Sequence, residues 1–205
     1  MRSRPERVVA FGAHPDDLEV GAGGLLARLV AEGSRVTMVV VSIPQQLARR
    51  TEEARAGARM LGAELVMLET ERECRVEDIP MHELVRRFDL VLGDLRPDLV
   101  ISHAAQDLHW DHALVNRATL SAMRRLPCDA LAYLSSPELN AQPRVQAQCF
   151  ADITATIETK LAAIACHVSQ LPRLDIEASR DLARGTGRIG GFGYAEGYEV
   201  LRVRL

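Results

Sequence analysis

Four short runs of β-branched and apolar residues alternate with helix-length amphipathic stretches over the first hundred positions, and this alternation constrains the fold more than any other feature. The runs are Val8–Phe11, Arg35–Ser42, Leu65–Leu68 and Leu99–Ile101, which read as buried strands. Between them, Gly21–Glu32, Gln45–Leu61 and Met81–Leu95 repeat apolar residues at helical spacing, and Gly62 supplies a stop for the second. Strand–helix–strand units of this kind close through right-handed crossovers into a parallel sheet with helices on both faces. The expectation is an α/β fold, a Rossmann-like three-layer sandwich with a mostly parallel sheet.

The second half is less regular. It predicts a helix over Asp111–Arg125, strands near Ala130–Leu134 and Val145–Phe150, a helix over Thr154–Val168 capped by Asp152 or Thr154, and another over Leu174–Arg184. The stretch Gly185–Tyr194 holds five of the 14 glycines and reads as a loop. No linker or repeat divides the chain, so a single domain over residues 1–205 is expected. A chain of 205 residues, 47% of them hydrophobic, can bury about 70% of its unfolded surface without disulfides or structural metal. A metal site in it is therefore chemical before it is structural.

In sheets of this type ligands gather outside the carboxyl ends of the strands. Two segments with metal-binding side chains stand there: Ala13-His14-Pro15-Asp16-Asp17-Leu18-Glu19 after the first strand, and Ser102 to His112 after the fourth. His14 and Asp17, three residues apart on a turn entering a helix, can offer a nitrogen and an oxygen to one side, and His112 can supply a third ligand. Three protein ligands leave a position for water, as in catalytic zinc sites. Pro15 holds His14 in an extended backbone. Asp16, aimed elsewhere by the turn, is a natural general base for a water acidified by the metal. His109, on the same helical face as His112, can donate to an oxyanion or a leaving amine when protonated. Asp111 fits a carboxylate that holds an imidazole or orients the base. His103 reads equally well as a strand-end histidine with structural bonds, and His82 and His167 as structural.

Other chemistries are excluded or disfavoured. With 25 basic against 28 acidic residues the chain lacks the basic excess of a nucleic-acid binder. No apolar run approaches the roughly 20 residues of a membrane span, and no signal-peptide core follows the basic N-terminus. Cys74, Cys128, Cys149 and Cys166 form no C-x-x-C pair and read as reduced thiols, which suits the cytoplasm. Gly21-Ala22-Gly23-Gly24 fits close helix packing and not a dinucleotide fingerprint, and no G-x-S-x-G elbow is present.

Together the two segments resemble the PIG-L/LmbE-like zinc-dependent deacetylases. That family is marked by A-H-P-D-D-x-E after its first strand, here Ala13 to Glu19, and by D-x-H-x-D-H after its fourth, here Asp107 to His112. The resemblance extends to Arg50, Glu53 and Ala54 before Leu61-Gly62, to Lys160 with His167, Ser169 and Gln170, and to Tyr194-Ala195-Glu196. It implies zinc, or another divalent ion such as ferrous iron, on His14, Asp17 and His112. It also implies Asp16 as base, His109 as oxyanion stabiliser and Arg50 as a substrate-holding residue.

The implied reaction is removal of an acetyl group from an N-acetylglucosamine-type amino sugar on a small molecule: a thiol precursor, an antibiotic or an oligosaccharide. Alternatives are a thiol-conjugate amidase using the same zinc site and a non-catalytic sugar-binding module. The implied partner is a small amino-sugar substrate, with neither nucleic acid nor membrane; a homo-oligomer is compatible with the sequence and not specified by it. One departure stands out. Where many members of the family carry an acidic T-D-G-E-type loop after the second strand, this chain runs Val41-Ser42-Ile43-Pro44-Gln45-Gln46.

Overall fold

The computed structural model describes residues 4–134 and 147–204. Seven strands form one sheet: β1 (Arg7–Gly12), β2 (Arg35–Val40), β3 (Glu64–Met67), β4 (Leu99–His103), β5 (Asp129–Tyr133), β6 (Cys149–Asp152) and β7 (Ala195–Arg202). Their order is β3-β2-β1-β4-β5-β7-β6. The first five run parallel, while β7 pairs antiparallel with both β5 and β6. The helices are α1 (Asp17–Ala31), α2 (Leu47–Leu61), α3 (Met81–Leu95), α4 (Trp110–Ala122), α5 (Ile157–Ala165) and α6 (Ile176–Gly190).

The alternation of side chains along β1 builds the three layers. Val8 and Ala10 pack to one side with Leu18, Leu26, Ala58 and Leu61 of α1 and α2. Val9 and Phe11 face the other side, among Leu84, Phe88 and Leu92 of α3 and Val115 and Ala118 of α4. Phe11 and Phe88 stack with ring centroids 4.1 Å apart. Full burial of side chains of this size contributes roughly 1.5–3 kcal/mol each, so the central strand is bound from both faces. α1 lies close to the sheet because Gly21 permits it: a Cβ there would come within 2.2 Å of the Tyr133 ring. No helix among the described residues is long and apolar enough to cross a membrane.

Strand order reverses beside β1, which has β2 on one side and β4 on the other. The carboxyl ends of β1 and β4 thus border the crevice in which doubly wound sheets bind ligands. Both histidine- and aspartate-bearing segments emerge there.

The second half departs from expectation at three places besides β7, for which no strand was expected. Gly185–Gly190 is not loop but the last part of α6, which ends on Gly191 in the left-handed conformation (φ 80°). Each helical glycine costs up to about 1 kcal/mol relative to alanine. Close approach requires Gly187 all the same, since a Cβ would meet the Phe192 and Gly193 carbonyl oxygens at 2.8 Å. Second, neither Asp152 nor Thr154 caps α5, which begins at Ile157 after Thr156. Asp152 instead accepts from the Thr154 amide and hydroxyl at 2.9 and 2.6 Å, closing a turn before the helix. Third, the strand expected near Val145 begins at Cys149 among the described residues, and Val145 and Gln146 lie outside them.

Candidate active site

The turn from β1 into α1 sets the geometry. The His14 amide donates to Asp17 Oδ2 at 2.7 Å, folding the His-Pro-Asp-Asp stretch back on itself. Asp16 takes φ 93°, ψ −30°, a region that costs a non-glycine residue on the order of 1–3 kcal/mol and is concentrated at functional sites. That backbone kink sends two adjacent carboxylates in different directions. Asp17 turns inward, its Oδ1 3.3 Å from His112 Nε2 and its Oδ2 3.3 Å from His103 Nε2. Asp16 turns toward α2, where Arg50 Nη2 lies 3.5 Å from its Oδ2.

His14, Asp17 and His112 each bring a ligand atom within 4.8 Å of the others. Asp17 Oδ2 lies 3.8 Å from His14 Nδ1. The outward-facing ring nitrogens meet carboxylates: His14 Nε2 stands 2.9 Å from Asp111 Oδ2, and His112 Nδ1 stands 3.0 Å from Asp107 Oδ2. The second contact has ion-pair distance but lies off the line of a hydrogen bond. Asp111 is itself bound by the Val76 and Glu77 amides at 3.1 and 3.2 Å. Two imidazoles and a carboxylate, with a carboxylate behind each ring, fit a divalent cation of the zinc type.

Charge in the pocket supports the same arrangement. Burial pushes the Asp17 carboxyl up, but His112 and His103 outweigh it and hold the group well below the carboxylate range. Burial opposes charge on His112, yet Asp17 and Asp107 lift its imidazole to about 10. A proton on His112 therefore stands where a cation could stand. Asp16 differs: burial first, then the Asp17 charge, raise it to about 7 against the counter-pull of Arg50. A carboxyl tuned near neutrality is suited to exchange protons.

His109 caps α4, its Nδ1 accepting from the Asp111 amide at 3.2 Å. That bond leaves the ring proton on Nε2. Burial, then the charges of His112 and His14, hold His109 below the usual imidazole range, which works against the protonated ring expected from the sequence. His103 is fully buried, with Nε2 in contact with the Ala13 amide at 3.0 Å and the Tyr133 hydroxyl at 2.8 Å. Burial and then His112 lower it to about 4. With Asp107 and His112 it forms a second set of three groups within metal-ligand reach.

The three candidate ligands, Asp16, His109 and Asp111 open into a cleft of about 770 Å³ that Arg50, Gln45, Gln46, Trp110, Gln170 and Arg173 also line, while His103 and Asp107 lie behind it. Arg50 is buried and donates to the Pro15 carbonyl at 2.9 Å as well as facing Asp16. Sequence spacing did not expose three further relationships. Asp107 stands behind His112. Glu53 accepts from the Ser169 amide at 2.8 Å and its hydroxyl at 2.5 Å, tying the segment after α5 to α2. His167, expected to be structural, is fully buried with Nε2 3.0 Å from Glu19 Oε1.

Residues 9–123, more than half of the chain, match the PIG-L family, described as GlcNAc-PI de-N-acetylase. The chain belongs to the PIG-L family. Among its relatives, an uncharacterized deacetylase of Escherichia coli, YaiS, is 30% identical over 174 residues, covering 79% of this chain and 90% of that protein. Two solved structures share the fold. GalB, the 4-carboxy-2-hydroxymuconate hydratase of Pseudomonas putida, is 23% identical with a TM-score of 0.81 and 98% of each chain covered. The N,N'-diacetylchitobiose deacetylase of Pyrococcus horikoshii is 22% identical with a TM-score of 0.77, covering 96% of this chain and 84% of that one.

As a PIG-L chain, the protein keeps the family's mixed α/β sheet, and the two segments quoted from its sequence meet at the switch point. His14, Asp16, Asp17, His109, Asp111 and His112 converge on one cleft, and Arg50 reaches it from α2. His82 stands apart from it, near the start of α3.

Proposed function

We propose that this PIG-L protein is a metal-dependent amide hydrolase that removes the N-acetyl group from an amino sugar of the N-acetylglucosamine type. The observation that carries the proposal is the divergence of Asp16 and Asp17: one faces two histidines, the other an arginine in an open cleft. A cation on His14, Asp17 and His112, zinc or another divalent ion such as ferrous iron, would supply Lewis acidity and acidify water at that point.

The chain's own groups divide the rest of the work. Asp16, ionised, takes a proton from the attacking water. The neutral His109 ring donates from Nε2 to the carbonyl oxygen as it gains negative charge, an interaction worth about 10²–10³ in turnover where such donors have been removed. Asp16 then returns its proton to the nitrogen as the C–N bond breaks, so water and amide leave as acetate and free amine. Asp111 holds the His14 ring and Asp107 the His112 ring. Arg50 keeps Asp16 aimed and, with Gln170, offers donors to sugar hydroxyls.

Support comes from the family, from the deacetylase relatives and from a general base separate from the candidate ligands. The hydratase neighbour defines the competing outcome, since an acid–base pair beside a cation also adds water to a carbon–carbon double bond. The test is to incubate the zinc-loaded protein with N-acetylglucosamine and its β-linked disaccharide, measuring acetate and free amine, and in parallel with an unsaturated dicarboxylate, following its absorbance. Equal acetate and amine, abolished by chelator and restored by zinc, is expected. Hydration of the dicarboxylate with no amide cleavage would overturn the assignment.

A further inference from the structure

The mouth of the cleft differs in charge from its floor. The floor holds His14, Asp16, Asp17, Asp111 and His112. Around the mouth stand Gln45, Gln46, Arg75, Gln170 and Arg173, and Glu77 is the one carboxylate there among the described residues. The loop after β2 brings no acid to it. Arg75 and Glu77 pair at 3.0 Å, with side chains 67% and 42% exposed, and water screens a pair so exposed, leaving the guanidinium free to take another anion. The Arg173 side chain is exposed and has no partner among the described residues.

Both arginines are mounted on backbone that a buried carboxylate holds, Asp111 for one and Glu53 for the other. Arg75 precedes the Val76–Asp78 turn, whose amides are bound by Asp111, the carboxylate behind His14. Arg173 ends a tight turn in which its amide donates to the Gln170 carbonyl at 2.8 Å. Glu53 fastens the start of that turn to α2, one helical turn from Arg50. Guanidinium groups with spare donors, carried on held backbone at the rim, recognise planar or tetrahedral oxyanions.

Resting on the deacetylase reading, we infer that the amino sugar taken by this cleft carries an anionic group, a carboxylate or a phosphate, remote from the scissile amide and held by Arg173 with Arg75 in support. A neutral N-acetyl sugar fills the inner cleft and leaves those donors to water.

The test is calorimetric titration of the zinc-loaded protein with N-acetylglucosamine, N-acetylglucosamine 6-phosphate, N-acetylmuramic acid and inorganic phosphate. The charged sugars are expected to bind at least about tenfold tighter than the neutral one, an advantage that shrinks between about 50 and about 300 mM NaCl. Comparison of the phosphate and carboxylate sugars identifies which anion is read. Arg173→Ala removes most of the advantage and Arg75→Ala a smaller part, while the affinity for N-acetylglucosamine stays put; Arg173→Gln serves if the alanine variant misfolds. Equal binding of neutral and charged sugars, or a preference that survives in the double variant, overturns the inference. So does binding of inorganic phosphate that depends on His14 and not on Arg173, because the cation then captures the anion. Acetate release from neutral sugars with no charge preference sinks the anionic subsite and keeps the deacetylase. Arg173-dependent binding with no acetate from any probe keeps the subsite and sinks the deacetylase.

Discussion

Asp107 Oδ2 stands 3.0 Å from His112 Nδ1, on the opposite side of the ring from Asp17. The contact fixes which nitrogen of His112 faces the pocket. A carboxylate in this position raises the basicity of an imidazole and sets its orientation, and its loss typically weakens a metal site about 10–100-fold. Asp107→Asn is therefore expected to lower zinc affinity by that factor while the fold persists. Competition against a chromogenic chelator measures it, and an unchanged dissociation constant would show that Asp107 serves only the loop.

The proton on His112 gives the site a pH dependence. Flanked by Asp17 and Asp107 and lifted to about 10, this imidazole is charged at neutral pH in the metal-free protein. A cation must displace that proton before it can use Nε2. Affinity should accordingly rise with pH by up to about tenfold per unit through the neutral range, with proton release on binding. Zinc titrations at three pH values, in buffers of different ionisation enthalpy, test this. Metal affinity that does not change with pH would mean His112 is neutral or not a ligand.

Asp16 and Asp17 are neighbours with opposite expected phenotypes. Asp17→Asn should lose metal; Asp16→Asn should keep it and lose turnover by about 10² or more, as for a removed general base. Stability separates them again. The folded-state value for Asp16 is raised, to about 7, so between pH 4 and 7 this site holds more proton in the folded chain than in the unfolded one, and its own contribution to the stability of the metal-free protein falls as pH rises. Asn carries no such dependence. Metal-free Asp16→Asn should match or trail the parent at pH 4 and exceed it at pH 8 by on the order of 2–4 kcal/mol, in urea denaturation. Equal pH slopes would place the Asp16 carboxylate in water.

What the sequence makes legible follows how local each signal is. β1 to β4 and α3 are readable because a strand or helix buried on this sheet must repeat apolar residues at period two or 3.6. His14, Asp17, His109 and His112 are readable because each pair lies within one turn. Asp107 lies in the same motif, but spacing alone does not assign it to the far side of a particular imidazole. The Glu53–Ser169 tie spans 116 positions, and no period links them. Only the end of α6, Gly185–Gly190, hides behind its glycines, whose low helix propensity is overridden by contact of Gly187 with the Phe192–Gly193 backbone. β7 is obscured because it joins the sheet antiparallel, after the strand–helix rhythm has ended.

The same distance rule governs Lys160 and Glu196, which meet at 2.6 Å with side chains 5% and 4% exposed. Glu196 also accepts from the Gly24 and Leu25 amides at 2.8 and 2.9 Å and from the Tyr198 hydroxyl at 2.7 Å. One carboxylate thus joins α1, α5 and β7 beneath the helix that begins with the candidate ligand Asp17. Lys160→Met leaves a buried anion with three neutral donors, and removal of one partner of such a pair costs about 3–5 kcal/mol. Replacing both, Lys160→Met with Glu196→Gln, removes the uncompensated charge and should recover part of that loss, a coupling that a double-mutant cycle in urea isolates. Additive losses in the two single variants would show that the ion pair contributes nothing and that Glu196 acts only through the α1 amides.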